Sequence, residues 1–247
     1  MKRVLLTLAY DGTNYHGWQV QPNGITVQEC MQNALLRLLG TRPALTGCSR
    51  TDAGVHARQF CCHLDCDDSL PDAAFLRGLN SILPDDVAVV ACREVPSDFH
   101  ARYSANGKNY VYRFYESRTT DPFLSRYALR VEKRLDIGAM NEFCASIIGE
   151  HDFLPFSSAG RTVESTVRRV SECRMTEDGG LPALTVTANG FLYNMVRIIT
   201  GTALAVSRGQ LSPDCAKEIF ESGERSMAGD TAPACGLFLN KVFYKDF

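Results

Sequence analysis

With 247 residues, 45% of them hydrophobic and 22% charged, the chain has the composition of a globular protein and can bury a substantial core as one large domain or two small ones. A formal net charge of −2 excludes a surface coated uniformly in positive charge, although affinity for phosphates depends on local clustering and not on the sum. No apolar run approaches the length that spans a bilayer, and Met1 to Tyr10 is too short, and too soon followed by Asp11, for a secretory signal, so a cytoplasmic protein is expected.

Lys2 to Tyr10 reads as a strand. A Thr26-x-x-Glu29 capping box opens a helix over 27–39, whose apolar residues Val27, Cys30, Met31, Ala34, Leu35, Leu38 and Leu39 share one face and which Gly40 stops. Strands follow near 44–48 and 58–64, then a helix over about 72–82 and a strand over 87–95, in the order β-α-β-β-α-β. The second half repeats this with a strand over 110–115, a helix over about 137–148 and strands over 166–175 and 183–188. A helix over about 192–206, an extra helix opened by Ser212-Pro213 and a final strand over 237–244 complete it. The simplest interpretation is an α+β fold of two tandem ferredoxin-like units, each building antiparallel sheet with helices on one side. The join near 104–107 divides the chain into 1–104 and 105–247, with a ligand cleft expected between the halves.

The ten cysteines contain no Cys-x-x-Cys pair. The cluster Cys61-Cys62-His63-Leu64-Asp65-Cys66 falls on a strand, where alternate side chains point to opposite faces, so reduced thiols are expected and no metal site. Basic residues gather at Arg102, Lys108 and Arg113, at Arg126, Arg130, Lys133 and Arg134, and at Arg161, Arg168 and Arg169, patterns that a solvated face also produces.

The densest chemistry lies in Gly47-Cys48-Ser49-Arg50-Thr51-Asp52-Ala53-Gly54-Val55-His56-Ala57, where one carboxylate sits between an arginine and a small-residue turn. Glycine on each side gives access to φ > 0 and close approach, and Arg50 can hold Asp52 ionised or reach past it to a ligand. Such a carboxylate is a possible nucleophile; alone, it reads equally as an Asp closing its own turn.

Four further blocks stand in fixed order around it: Tyr10-Asp11-Gly12-Thr13-Asn14-Tyr15-His16-Gly17-Trp18-Gln19 upstream; Phe99-His100-Ala101-Arg102-Tyr103-Ser104-Ala105 with Lys108-Asn109-Tyr110-Val111-Tyr112; Gly190-Phe191-Leu192-Tyr193-Asn194-Met195-Val196-Arg197; and Thr231-Ala232-Pro233 with Gly236-Leu237. Together they resemble the TruA family of tRNA pseudouridine synthases over almost the whole chain.

That resemblance implies two α/β halves with the catalytic aspartate in the cleft between them. It also implies a cofactor-free isomerase that converts uridine to pseudouridine at positions 38, 39 and 40 of the tRNA anticodon arm, acting as a homodimer. It assigns Asp52 as the nucleophile, attacking C6 of the base or C1′ of the sugar, and Arg197 as its partner. Tyr110 is the aromatic that stacks on the target base and assists proton removal from C5. Arg50 occupies the space the flipped nucleotide leaves, and His56 and Arg102 are expected to contact substrate with Tyr110 and Arg50.

Many family members carry glycine where this chain has Ser49, which tolerates φ > 0 poorly. Tyr10, Asp11, Tyr15, Trp18 and Gln19 read either as an RNA-facing surface or, for Trp18, as core. Two other classes remain open from the residues: an RNA-binding module without turnover, against which the set Asp52, Tyr110 and Arg197 argues, and an aspartate-nucleophile hydrolase, which would want a second acid or base nearby or a metal.

Overall fold

A computed structural model of the chain describes residues 1–66, 70–160 and 164–245. The chain divides into two compact units, Met1–Asn106 with Phe238–Phe247, and Gly107–Leu237.

The first unit contains β1 (Lys2–Tyr10), α1 (Val27–Leu39), β2 (Thr46–Gly47), β3 (His56–Cys66), α2 (Asp72–Asn80) and β4 (Val87–Val95). β1 runs antiparallel to both β3 and β4, and β2 pairs antiparallel with the other edge of β3, placing Thr46 opposite His63 and Gly47 opposite Cys62. The order β4-β1-β3-β2 is the split β-α-β arrangement expected of a ferredoxin-like unit. Val4 and Leu5, neighbours on β1 that face opposite sides, are both buried, so this strand is covered on both faces. α1 forms as its ends dictate: Thr26 accepts the Glu29 N–H at 3.3 Å, and Gly40, at φ 71°, returns its N–H to the Leu36 carbonyl. The last strand, β10 (Leu237–Tyr244), lies parallel to β3 through Phe238–His56 and Leu239–Ala57.

The second unit contains β5 (Ala105–Glu116), β6 (Leu129–Val131), α3 (Ile137–Ile147), β7 (Gly149–Asp152), β8 (Val167–Asp178), β9 (Leu181–Ala188), α4 (Met195–Ser207) and α5 (Ala216–Ser222). β9 is antiparallel to both β5 and β8, so β5, α3, β8, β9 and α4 repeat the plan of β1, α1, β2, β3 and α2. β7 adds to the free edge of β8, and β6 pairs parallel with the end of β5. α3 packs against β8 and α4.

Elements set by strong local signals fall where the sequence puts them, and others shift for physical reasons. The 44–48 strand shrinks to two residues. The helix expected from Leu192 starts at Met195, because Asn194 takes the left-handed conformation at φ 61°. The helix expected from Ser212-Pro213 starts at Ala216, after a turn in which the Cys215 N–H reaches the Ser212 carbonyl. None of the ten cysteines is in a disulfide, and burial pushes the Cys62 thiol well up. No helix among the described residues is long and apolar enough to cross a membrane.

His63 shows how β3 holds its neighbours. Its Nδ1 accepts the Ala101 N–H at 3.1 Å, and burial, reinforced by Arg3 and His100 and opposed by Asp65, lowers its pKa from 6.5 to about 4. The unfolded chain therefore binds a proton that the folded chain refuses between about pH 6.5 and pH 4, so stability falls as pH drops through that window and not below it. In thermal melts from pH 7 to pH 4, His63→Asn, which keeps an acceptor for Ala101, is expected to lose less stability than wild type; an identical slope would contradict this.

Candidate active site

The Asp52 loop is shaped by main-chain contacts. Asp52 opens a β-turn in which its carbonyl accepts the Val55 N–H at 3.2 Å, with Gly54 at the third position at φ 77°. On one side the Thr51 carbonyl accepts the Trp18 N–H at 3.2 Å, while the Thr51 and Tyr10 hydroxyls meet at 2.8 Å. On the other, the Gly54 N–H donates to the Tyr15 carbonyl at 3.2 Å. The upstream block is thus the bed on which the loop lies. A Cβ on Gly17, itself at φ 80°, would stand 2.3 Å from the Thr51 carbonyl oxygen, and one on Gly12 2.0 Å from that of Val55, so only glycine admits this approach.

The aromatic residues of that bed are core. Trp18 is buried with its ring 4.1 Å from Phe60, and Tyr15 is buried with its hydroxyl donating to Asp86 at 2.5 Å. Tyr10 is buried as well, so these three rings do not form the RNA-facing surface considered from the sequence, whereas Gln19 is exposed. Burial first, and the Asp86 contact second, push the Tyr15 hydroxyl well up and keep it neutral. Asp52 is half-buried, and Ser49 stays out of the positive-φ region, so serine there brings no backbone strain.

His56 is 1% exposed and stacks on Phe238 at 4.6 Å. Its Nδ1 lies 3.0 Å from the Gly12 N–H and 3.1 Å from an Asp11 oxygen; unprotonated it accepts from Gly12, protonated it pairs with Asp11. Either way it pins β3 to the bed. Arg50 and Arg102 are exposed. Arg50 has no hydrogen bond or ion pair with another described side chain, and Arg102 sits over the Tyr103 ring.

The second unit builds a fixed cation. Arg197, in the first turn of α4, donates through Nε to the Ala232 carbonyl at 2.7 Å and through Nη1 to the Asn194 side-chain oxygen at 2.8 Å. The Ala232 N–H returns to the Arg197 carbonyl at 3.1 Å, and the Asn194 amide nitrogen donates to Ser158 at 2.9 Å. The strap carrying Ala232 can lie so close because a Cβ on Gly201 would stand only 1.7 Å from the Asp230 carbonyl oxygen. Tyr112 ties the same strap down through a 2.8 Å bond to the Pro233 carbonyl. Tyr110, two residues earlier on β5, is buried with its ring edge-on to Phe191 at 4.9 Å. Asn194 and this strap are functional supports that the sequence reading left without a role, although an Asn just before a helix is a recognisable signal for a left-handed residue.

Of the basic clusters, several members are tied within the fold: Arg113 to Asp178, Arg130 to Glu132 and two carbonyls, Arg168 to the Ser165 and Val167 carbonyls. Arg161 lies outside the described residues. Among the described residues no group of three or more His, Cys, Asp or Glu is placed to hold a metal ion.

Residues 7–104 and 143–245, which carry the Asp52 loop and Arg197 with its supports at Asn194 and Ala232, match the tRNA pseudouridine synthase family. The chain belongs to that family. It is 44% identical over 246 residues to the tRNA pseudouridine synthase A of Ruminiclostridium cellulolyticum, covering 99% of this chain and 100% of the relative. To the proteins of the same name from Clostridium acetobutylicum and Citrifermentans bemidjiense it is 43% and 42% identical, with at least 99% of each chain covered. As a tRNA pseudouridine synthase it is an isomerase.

The hold of Asn194 on Arg197 yields a test. Asn194→Ala removes both the acceptor for Arg197 and the donor to Ser158 and leaves a Cβ residue at φ 61°, whereas Asn194→Gly removes the same two bonds without that backbone strain. Both are expected to slow uridine isomerisation about tenfold or more, the worth of one charge-assisted hydrogen bond, with Asn194→Gly the more stable in thermal melts. Full turnover by Asn194→Gly would show that the side chain does not serve Arg197.

Proposed function

We propose that this isomerase acts on uridines at positions 38, 39 and 40 of the tRNA anticodon arm, with Asp52 as nucleophile and without a cofactor. The observation that supports it best is the turn opening on Asp52, fixed by main-chain bonds at Thr51, Gly54 and Val55 in a chain that matches its family through the Asp52 loop and Arg197. A loop held this way has little backbone order left to lose on reaching the transition state.

The reaction balances within the substrate. Asp52 adds to C6 of the base or C1′ of the ribose; the N1–C1′ bond breaks, the base turns, and C5 bonds to C1′. C5 loses a proton, N1 gains one, and the carboxylate leaves unchanged. No electrons are exchanged, so the reading calls for no redox group.

In this reading Arg197 is the cation that keeps the nucleophile ionised, a role for which a guanidinium already oriented by Ala232 and Asn194 is suited. Tyr110 stacks on the base and assists at C5, Arg50 and Arg102 meet the RNA from exposed positions, and His56 acts behind the loop. The enzyme acts as a homodimer, in which two copies of a chain of net charge −2 assemble a basic surface neither has alone.

The test is pseudouridine formation on unmodified tRNA transcripts by wild type and Asp52→Asn, with modified positions mapped. Wild type is expected to modify the anticodon arm, and Asp52→Asn to bind tRNA while losing at least about a thousandfold in rate. A wild type that binds tRNA but converts no uridine would make the chain a binding module. An active Asp52→Asn would remove Asp52 from the chemistry.

A further inference from the structure

Tyr103 is 77% exposed, whereas Tyr10, Tyr15, Tyr110, Tyr112, Tyr115 and Tyr244 are each 9% exposed or less. It does not dangle. Its ring stacks on that of His100 at 4.3 Å and 30°, and the planar guanidinium of Arg102 lies 5.7 Å from its centre.

The turn that presents these three groups is tied at every residue. The Ser104 N–H donates to the His100 carbonyl at 2.8 Å, the His100 N–H to the Ser104 hydroxyl at 2.9 Å, and the Arg102 and Tyr103 N–H groups to His100 Nδ1 at 3.1 and 3.2 Å. Below it Phe99 and Ala101 are buried, with Ala101 held by His63 and by the Tyr244 hydroxyl. The nearby carboxylate of Asp65 is neutralised by Arg3 through two 2.7 Å bonds. A large aromatic ring kept in water on a rigid support, with a cation over it, is costly to expose and suited to one kind of ligand, a planar π-system attached to a negative charge.

We infer that His100, Arg102 and Tyr103 form a stacking platform for an unpaired nucleotide of the RNA, distinct from the nucleotide that undergoes reaction. The inference rests on the tRNA reading of this chain. The base stacks on Tyr103 and the adjoining phosphate pairs with Arg102. The platform rests on His63, seven residues along β3 from His56 at the end of the Asp52 loop, a length of strand of about 23 Å at the rise of an extended chain. One nucleotide cannot occupy both. The platform therefore holds a second, unstacked position in the RNA and favours substrates that offer a flexible loop at that distance.

The experiment measures the Kd of an unmodified tRNA transcript for wild type, Tyr103→Ala and Tyr103→Phe at several salt concentrations, with sedimentation and thermal melts alongside. Tyr103→Ala is expected to weaken binding about tenfold, with Tyr103→Phe within about twofold of wild type. The dependence on salt stays unchanged, because no phosphate contact is lost. Equal affinity of Tyr103→Ala and wild type would overturn the platform, as would failure of wild type to bind the transcript. A Tyr103→Ala protein that changes its oligomeric state would assign the surface to a second copy of the chain and overturn it equally. Uridine conversion by wild type on the same transcript separates the two readings: binding that depends on Tyr103 without conversion leaves the platform standing and removes the catalytic assignment.

Discussion

Everything at the Asp52 loop depends on one main chain lying directly on another. The carbonyls of Thr51 and Val55 approach Gly17 and Gly12 to distances at which no Cβ fits, and the Trp18 and Gly54 amides bond across the same seam. The Asp52 main chain inherits its position from these backbone bonds, and the buried rings of Tyr10, Tyr15 and Trp18 keep water from competing for them.

The second unit reaches the same end by the same means. Gly201 lets the strap around Ala232 lie against α4, and the strap gives Arg197 two bonds, one to its side chain and one to its carbonyl. Asn194 accepts a left-handed backbone at the start of α4 and in exchange aims its amide at both Ser158 and Arg197. The Asp52 loop is thus placed by main-chain bonds and the Arg197 guanidinium by one carbonyl and one side-chain oxygen, bonds already made before substrate binds.

Much of this was legible from residues alone. The Thr26-x-x-Glu29 box and Gly40 bound α1 because caps act locally, and β4 runs over 87–95 as expected. The β-α-β-β-α-β order and its repeat follow from such signals. β6 and β7 escaped because they are three and four residues long, and β7, Gly149–Asp152, is polar throughout. The hairpin of β8 and β9 runs three residues past its expected end to an Asp-Gly-Gly turn, with Gly179 and Gly180 at φ 63° and 79°, a turn signal present in the sequence. The burial of His56 against Phe238 is a tertiary fact that no spacing conveys. The use of Trp18 was ambiguous for the same reason, since an aromatic in a loop serves core and surface equally well.

The central claim is that glycine-permitted contact between the two main chains holds Asp52 in working order. Amide hydrogen exchange on wild type and Gly17→Ala, paired with uridine conversion by the same samples, tests it most directly. The account predicts protected Trp18 and Gly54 amides in wild type, loss of that protection in Gly17→Ala while β1 and β3 stay protected, and a matching fall in conversion. Full conversion by a Gly17→Ala protein whose loop amides exchange freely would contradict it.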